Sequence, residues 1–471
     1  MTGPALLVLS TGLPWALAAA LALFDGRRPW VGWLAAAGLG ASFVSLVVLL
    51  FRVLYGEPAE VVAGGWPSGV GIVLRADVLG TVFAVVSVGV VLVSFVYEVL
   101  GGVRSRTFPA LVLFMAAGLS GLFLTGDIFN FYVFFEVSMT AAYVLVGYRE
   151  QDYQVRAAFI FAVVNLVGSV VFLIAVAALY HVTGTLEMQA VAERVSQVNP
   201  NSIIVIAAAI FAAFALKLGL FPFHFWLPAV YVGSHAPVAA ILSGALANIG
   251  NYGLLRFGGG ILPEELELGA TAVLILGSAS IIYGALQAIS RKQLTEVLAY
   301  SAIGQVGYVL VAVGIGGPVG FSAAAIYAVV NSLNKTLLFL VVRLRGRLVG
   351  AAFAVGAFSL AGVPPAVGFV AKTAVFKAAL AGGVVQAAVL VALIFVGGAL
   401  SFVYMFQAYQ RDFLSQEPQG GYWEKAGPLT GRVLVASLAA LVLVAGLWPE
   451  PLLVLGEAAA AALAGNSGGG H

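Results

Sequence analysis

The sequence predicts an all-α integral membrane protein, and three observations support this prediction. Of the 471 residues, 62% are hydrophobic and 9% are charged, whereas soluble domains contain about 25% charged residues. Apolar segments of roughly 20 residues, the length that crosses a bilayer core of about 30 Å, recur from one end of the chain to the other. The segments between them are short and rich in Gly, Pro and charge, so none could hold a globular domain.

Fourteen membrane-spanning helices, called spans 1 to 14, follow from this pattern. We place them at residues 4–24, 30–54, 72–97, 108–126, 128–148, 157–180, 201–221, 237–257, 268–290, 294–314, 318–342, 352–381, 384–410 and 430–455. The opening segment from Ala5 to Phe24 lacks a basic start and is long enough to cross the bilayer. We therefore interpret it as span 1 and not as a cleaved signal peptide.

The placement of basic residues predicts the orientation, because Lys and Arg collect on cytoplasmic loops. Loops after odd-numbered spans hold fourteen of them: Arg27, Arg28, Arg104, Arg106, Arg149, Arg156, Arg291, Lys292, Arg343, Arg345, Arg347, Arg411, Lys425 and Arg432. The opposite side holds four, which are Arg52, Arg75, Arg194 and Arg256. Both termini are therefore predicted on the non-cytoplasmic side of the inner (cytoplasmic) membrane.

The four remaining basic residues lie inside predicted spans: Lys217, Lys335, Lys372 and Lys377. Glu136 lies in the middle of span 5. A charged side chain at the bilayer centre is costly, so such residues usually face the bundle interior and mark an ion pathway. The alternative for Glu136 is a static role, in which it locks helix packing through one lysine. We expect Lys377 to extend toward the interface, and we leave it out of the pathway.

Prolines break two of the spans close to buried lysines. Pro222 follows Lys217 by five residues in span 7, and Pro364 and Pro365 precede Lys372 by eight and seven residues in span 12. Broken helices at corresponding places in two halves are typical of transporters built from inverted repeats. We therefore predict repeats in spans 4–8 and 9–13. The chain then divides into residues 1–107, 108–257 (first repeat), 268–410 (second repeat) and 430–471 (span 14 and tail).

Further polar groups in the spans could take part in proton transfer. Lys335 has polar neighbours that could supply the hydrogen bonds a buried ammonium needs, namely Asn331, Ser332, Asn334 and Thr336. His224 lies two residues after Pro222 and titrates near neutral pH, so it is a candidate relay or, alternatively, a partner for carbonyls of the broken helix. Burial disfavours charged Lys and Glu while pairing favours both, so a Glu–Lys pair that forms and separates can exchange a proton.

Other chemistries are weakly supported. The four histidines do not have metal-ligand spacing, and no dinucleotide or phosphate-binding glycine motif occurs between a strand and a helix. Cys is absent, which excludes disulfides, iron–sulfur ligation and cysteine zinc sites. We predict no metal site, no cofactor and no nucleic-acid partner.

Each embedded charge lies in a distinctive run of sequence. The runs are GDIFNFYVFFEVSMTAAYVL with Glu136, LKLGLFPFHFWLPAVYVGSHAPVAAILSG with Lys217, NSLNKTLLFL with Lys335 and AGVPPAVGFVAK with Lys372. Over spans 4 to 13 they resemble the antiporter-like subunits shared by respiratory complex I and Mrp-type Na⁺/H⁺ antiporters. The runs GGWPSGVGIVLRADVLGTVF and VTGTLEM look more like the D-type subunit of the Mrp antiporter than the N-type subunit of complex I.

The resemblance implies a fourteen-helix fold with two inverted five-helix repeats and a central polar axis. It also implies that protons pass from Glu136 to Lys217, then through groups of spans 8 and 11, including Lys335, to Lys372. Three positions depart from the family pattern: Asn248 replaces the usual lysine of span 8, Asn331 replaces a frequent histidine, and Gln305 stands where some relatives have histidine. Asn and Gln offer donors and acceptors, so we expect a neutral, water-holding relay there.

The resulting expectation is a proton-translocating membrane subunit of a multisubunit monovalent cation (Na⁺)/proton antiporter, with other membrane subunits, protons and Na⁺ as its partners. One alternative is an N-, M- or L-like subunit of a complex I-type NADH:quinone oxidoreductase or membrane hydrogenase, where the chain would belong to a redox-driven translocase. A self-sufficient transporter of a small solute is another. A structural scaffold with a non-conducting channel is the last, and Asn248 makes it harder to dismiss.

Overall fold

A computed structural model of the chain describes residues 2–56, 58–65, 71–381, 384–414 and 428–467. Within these ranges, twelve helices are long and apolar enough to cross a membrane, and Phe108–Phe123 and Arg347–Ala361 are shorter apolar helices. The all-α membrane class is therefore confirmed. Lys425, residues 66–70 of the GGWPSGVG run and the tail from residue 468 lie outside the described residues.

The elements follow one another along the chain with short connections. They are α1 (Gly3–Leu21), α2 (Pro29–Leu54), β1 (Ala59–Val62), β2 (Val73–Ala76), α3 (Val78–Gly101), α4 (Phe108–Phe123), α5 (Ile128–Val146), α6 (Asp152–Thr183), α7 (Met188–Val195), α8 (Pro200–Leu218), α9 (Leu227–Gly233), α10 (Ala236–Gly259), α11 (Pro263–Ser290), α12 (Leu294–Ile315), α13 (Gly317–Val341), α14 (Arg347–Ala361), α15 (Val367–Leu380), α16 (Val384–Tyr409), α17 (Leu429–Leu447) and α18 (Glu450–Ser467).

Two predicted spans differ from the observed elements. Residues Val73–Ala76 of span 3 form a strand that pairs antiparallel with β1, and α3 begins only at Val78. Asp77 caps that helix, since its Oδ1 accepts a hydrogen bond from the Gly80 amide at 2.8 Å. Span 14 is also divided, because α17 ends at Leu447 and α18 starts after Pro449. Proline lacks the amide hydrogen that a continuous helix needs.

The loops lie on two opposite faces. On the first, the Gly26 amide donates to the Arg106 carbonyl at 2.8 Å, and Arg411 donates to the Arg291 carbonyl at 2.9 Å. We call it the arginine face; it holds the connections after α1, α3, α5, α9, α11 and α13. The second, the hairpin face, holds β1 and β2, and on it Asp127 forms a β-bridge with Glu187.

Three helices form the centre of the bundle. In α10, α12 and α13, 94%, 89% and 89% of the residues in the most apolar stretch are buried, compared with 33% in α11. Most polar side chains on these three helices are therefore shielded from lipid. This places the middle of the predicted polar axis in the most enclosed part of the described structure.

Candidate functional site

The first helix break places Lys217 deep in the bundle. Helix α8 ends directly after this lysine, with Gly219 in a left-handed conformation at φ 63°. A short 3₁₀ turn, Phe223–Trp226, then leads into α9. Trp226 Nε1 donates to the Leu216 carbonyl at 3.0 Å, so the indole satisfies a carbonyl that the helix end leaves free. The predicted break of span 7 is therefore present.

Lys217 has a neutral partner in place of a carboxylate. Its Nζ donates to Asn165 Oδ1 of α6 at 3.1 Å and lies 3.9 Å from the ring centroid of Phe135, a cation–π contact. Asn165 in turn donates to the Phe161 carbonyl at 2.9 Å. Sequence reasoning missed Asn165. The available signal was a lone amide in the apolar run FAVVNLVGS of span 6.

Glu136 lies half-buried on α5, near Lys217 but without a direct bond to it. The two groups interact electrostatically, and they are not among the ion pairs of the described residues. Glu136 Oε1 is buried without a hydrogen-bond partner in that part of the chain. A buried oxygen of this kind is a position for an ordered water. A water-bridged link between Glu136 and Lys217 thus stays a prediction.

Asn248 lies where α3, α10 and α13 meet. Its Nδ2 donates to Ser87 Oγ at 3.1 Å and to Ser332 Oγ at 3.0 Å, and its Oδ1 is within 3.3 Å of Asn251 Nδ2. We call Asn248, Ser87, Ser332 and Asn251 the central hub. Direct side-chain contacts therefore join these four residues, and the water-holding role of Asn248 stays a prediction. Asn331, the other amide expected here, is buried on α13 beside Ser332.

Lys335 is fully buried on α13, but its partners differ from those expected. Its Nζ donates to Ser301 Oγ and, at 3.2 Å, to the Leu298 carbonyl, both on α12. Two of the expected neighbours on α13 have other contacts, since Ser332 Oγ and Thr336 Oγ1 bond to backbone carbonyls of their own helix at 2.8 and 2.7 Å. The prediction that α13 itself supplies the ammonium's hydrogen bonds was therefore wrong.

Gln305 joins a cluster of tyrosines on α12, α13 and α16. Tyr327 donates to Gln305 Oε1 at 2.6 Å, and Gln305 Nε2 lies 3.4 Å from the hydroxyl of Tyr404. The ring of Tyr308 stacks on Tyr327 with centroids 5.1 Å apart. Lys372 Nζ lies 5.0 Å from the Tyr308 centroid. Gln305 and the tyrosines thus lie in the interior beside Lys372, and the tyrosines were not identified from the sequence.

The second break also begins at a glycine with positive φ, but its lysine lies after the break and not before it. Helix α14 ends at Ala361, Gly362 has φ 84°, and α15 starts at Val367. Lys372 Nζ donates to the Ala361 carbonyl at 2.8 Å. A Cβ on Gly362 would lie 2.4 Å from Lys372 Cδ, so only glycine fits beside this lysine. Lys377, by contrast, is exposed in the last turn of α15.

His224 connects the first break to the second half of the chain. Its Nε2 lies 2.8 Å from the hydroxyl of Tyr283 on α11. Beside it, the Phe221 amide donates to Ser280 Oγ of the same helix at 3.1 Å. The histidine therefore lies beside the first break, at the border between the two predicted repeats.

Arg256 was predicted to be a loop residue, and the structure corrects this. It is 4% exposed within α10, and its Nη2 lies 2.6 Å from Asp77 Oδ2. Its Nε donates to the hydroxyl of Tyr252 at 2.9 Å. A guanidinium is tolerated at such a buried position when a carboxylate neutralises it, and nothing in the local sequence indicates which carboxylate that is.

A second buried ion-pair cluster lies at the arginine face. Glu98 Oε1 lies 3.2 Å from Arg149 Nη2, and Glu98 Oε2 lies 3.3 Å from His235 Nδ1. Sequence reasoning counted Arg149 among the cytoplasmic-loop residues and assigned no role to Glu98 or His235. Among the described residues there is no group of three or more His, Asp or Glu side chains that could hold a metal ion.

The predicted residues lie on five helices of the bundle. Glu136, Lys217, Asn248 of the central hub, Lys335 and Lys372 lie on α5, α8, α10, α13 and α15; we call this set the polar line, and its use as one route stays a prediction. Each group is able to donate or accept a proton or to hold a water that does. Leu218, the residue after Lys217, packs against Gly250 of α10, where a Cβ would lie 2.5 Å from Leu218 Cγ.

The chain is similar to known membrane proteins over most of its length. Residues 125–397 match the transmembrane family described as NADH:quinone oxidoreductase/Mrp antiporter. The chain is 33% identical to the D-type subunit of the Na⁺/H⁺ antiporter of Alkalihalophilus pseudofirmus, with 83% of each chain covered. It is 31% identical to the N-type subunit of the NADH-quinone oxidoreductase of Desulforudis audaxviator, covering 90% of this chain and 88% of the relative. A chain in the solved Mrp complex from Dietzia sp. superimposes with a TM-score of 0.89 at 25% identity, covering 99% of this chain and 100% of that one.

Proposed function

Because the chain belongs to the NADH:quinone oxidoreductase/Mrp antiporter transmembrane family, we propose that it is the proton-translocating membrane subunit of a multisubunit Na⁺/H⁺ antiporter. One observation supports this most strongly. Lys217, Lys335 and Lys372 are each at most 8% exposed, and each is hydrogen-bonded to a neutral oxygen. A carboxylate in direct contact would hold these lysines charged, whereas neutral partners leave them free to exchange a proton.

The proposed route runs across the bundle from Glu136 to Lys372. A proton exchanged at Glu136 reaches Lys217 through water, and the central hub then passes it toward Lys335 by way of Asn248 and Ser332. Gln305 and its tyrosines complete the route to Lys372. Neutral amides and hydroxyls both accept and donate hydrogen bonds, so they can hold the waters that carry a proton without storing charge. The fourteen-span organisation with two inverted repeats is part of this proposal.

We place the protein in the cell membrane with its arginine face toward the cytoplasm, since basic loops are retained on that side. Both termini then lie on the opposite side. The partners are other membrane subunits of the same assembly. This is supported by the similarity to a chain of the Dietzia Mrp complex along the whole length of both chains.

Membership of a complex I-type oxidoreductase is the second candidate, and the 31% identity to an N-type subunit over 90% of this chain favours it. Purification of the tagged chain from its native membrane distinguishes the two. The antiporter assignment requires co-purified membrane subunits without flavin or iron–sulfur absorption. Flavin and iron–sulfur absorption in the purified complex would assign the chain to a redox-driven assembly.

The proton-translocating role itself is tested with lysine variants of the assembled complex. We expect Lys217→Ala and Lys372→Ala each to abolish most of the Na⁺-dependent proton movement in inside-out vesicles, measured by dequenching of a pH-sensitive dye. Lys377→Ala is the matched control, and we expect a mild effect because its side chain is exposed. Full activity of both Lys217→Ala and Lys372→Ala would support a scaffold in place of a conductor.

A further inference from the structure

The arginine-face cluster around Glu98 differs from every part of the polar line. Glu98 is 3% exposed near the end of α3, and its carboxylate lies among polar side chains. Tyr148 donates to Oε1 at 2.7 Å, Arg149 lies 3.2 Å from the same oxygen, and His235 Nδ1 lies 3.3 Å from Oε2. Arg149 Nε also donates to the Tyr148 hydroxyl at 2.7 Å. A carboxylate is thus shared between a permanent cation and a titratable imidazole.

A polar stripe leads from this carboxylate into the bundle. Glu98, Ser94 and Ser87 lie four and seven residues apart on α3, so they share one helix face. Ser87 Oγ accepts the hydrogen bond from Asn248 and belongs to the central hub. Ser94 Oγ is fully buried and has no hydrogen-bond partner among the described residues. An unpartnered buried hydroxyl is a position for water.

The distances along this stripe require water to complete it. At 1.5 Å rise per residue, Ser94 lies about 6 Å from Glu98 and about 10 Å from Ser87 along the helix axis. Val91 is buried on the same face between the two serines. About three waters at hydrogen-bond spacing of about 2.8 Å would bridge the longer interval once Val91 moves aside.

The cluster reaches the surface through Arg149 and His235, whose side chains are 17% and 9% exposed. His235 lies between α9 and α10, outside both spanning segments. It is faced by Glu98 of α3, by Tyr148 and Arg149 at the end of α5, and by Arg343 after α13. Burial lowers the pKa of His235, the neighbouring Glu98 raises it, and the two arginines lower it further. The imidazole therefore lies in a setting where its proton can leave.

We propose that Glu98 and His235 form a proton-exchange site, through which protons enter the central hub from the arginine face along α3. This inference rests on the proposed proton-translocating function. A proton from surface water binds to the neutral imidazole of His235. It then moves to the Glu98 carboxylate, which restores the neutral imidazole. The resulting carboxylic acid releases the proton to water at Ser94. From there it passes to water at Ser87, whose hydroxyl accepts a hydrogen bond from Asn248 of the central hub, and Arg149 keeps its charge throughout.

The test uses the assembled complex in inside-out vesicles, whose arginine face is outward in the proposed orientation. Vesicles loaded with Na⁺ are diluted into Na⁺-free buffer, so that Na⁺ efflux draws protons in from that face, and a lumenal pH-sensitive dye reports the rate. We expect Glu98→Gln to slow proton entry about tenfold or more. The loss should grow as external pH rises. Without the exchange site, protons must come directly from bulk water, where their concentration falls with rising pH. Matched controls are Glu150→Gln and His181→Gln, both exposed, with wild-type rates expected.

The outcomes separate this inference from the function on which it rests. If Lys217→Ala stops proton entry while Glu98→Gln keeps the wild-type rate at every pH, the exchange site is refuted and the function stands. If neither variant changes the rate, the proposed function fails. A Glu98→Gln loss of the same factor at all pH values, with no recovery in Glu98→Asp, would indicate a structural role and refute the site.

His235→Gln provides the second measurement. It is the deciding test in the case where Glu98→Gln fails to assemble on native gels. Glutamine keeps a hydrogen-bonding side chain but cannot take up a proton near neutral pH. We expect normal assembly, a smaller loss than for Glu98→Gln, and a steeper fall of the rate at alkaline pH. A pH profile identical to that of the wild-type complex would refute the exchange site.

Discussion

Two kinds of buried cation in the central helices have different partners. Arg256 in α10 contacts the carboxylate of Asp77 at 2.6 Å. The three lysines of the polar line instead contact an amide, a hydroxyl and backbone carbonyls. Arginine stays charged under all physiological conditions, so it requires a fixed counter-charge, whereas a lysine with neutral partners can change its charge. The comparison separates a cation that stabilises the fold from cations that can exchange protons.

Glu136 is the carboxylate that does not fit either group, and its replacement should have the largest effect. Glu136→Gln keeps the shape but cannot exchange a proton, so we expect it to abolish Na⁺-dependent proton movement. Assembly should be intact, because Glu136 makes no ion pair in the described structure. Dye dequenching in inside-out vesicles measures the flux, with the exposed Glu150→Gln as its control. Normal flux in an assembled Glu136→Gln complex would contradict the proposed route.

Asn248 tests whether the centre of the line needs a charge at all. Asn248→Leu removes the contacts to Ser87 and Ser332 and leaves their hydroxyls buried without this partner, so we expect a loss of flux of about tenfold or more. Asn248→Lys restores a protonatable group among the same hydroxyls, and we expect it to keep more flux than the leucine variant. Both are measured in the same vesicle assay. A leucine variant with full flux would show that protons bypass α10.

Asp77 tests the other side of the comparison, the fixed pair. Asp77→Asn retains a side-chain oxygen for the Gly80 amide but leaves Arg256 buried without an anion, which costs about 3–5 kcal/mol. We expect a clear fall in the thermal stability of the purified complex. Flux per assembled complex should stay close to that of the wild type. Unchanged stability, or lost flux in a stable complex, would indicate that Arg256 takes part in proton movement and does not only stabilise the fold.

Tyr327 should show the smallest effect. Tyr327→Phe removes the 2.6 Å hydrogen bond to Gln305 and keeps the ring that stacks on Tyr308. A single hydrogen bond of this kind is worth about 1 kcal/mol, so we expect flux to fall about fivefold at most. The control is Tyr300→Phe, whose hydroxyl contacts Arg291 at the arginine face. An abolished flux would make the tyrosine hydroxyl an obligatory step.

The helix breaks and the buried lysines could be predicted because they depend on local chemistry. Pro222 and the Pro364–Pro365 pair interrupt helices wherever they occur, and a lysine in an apolar run is costly in any membrane helix. The partners of these lysines could not be predicted. Membrane helices are apolar on all sides, so the sequence does not show which face meets which neighbour. Asn165 and Ser301 are therefore found only in three dimensions.

Wrong predictions also arose for residues near the ends of the membrane-spanning helices. Strands β1 and β2 are four residues long, too short for alternation to distinguish them from the start of span 3. Arg256 lies close to a run of glycines at the end of α10 and was counted with the loops. In both cases a contact distant in sequence decides the structure: the hairpin pairs with Thr125, and Arg256 pairs with Asp77.

The hydrogen bond between Lys372 and the Ala361 carbonyl makes the second break a hinge whose stiffness depends on the charge of Lys372. The ammonium caps the carbonyl end of α14 from within α15, and a cation in this position also interacts favourably with the helix dipole. When the lysine gives up its proton, both contributions weaken and the two half-helices bend more easily. At the first break an indole, Trp226, holds the Leu216 carbonyl instead. Proton occupancy can thus soften one hinge of the molecule while the other keeps its stiffness.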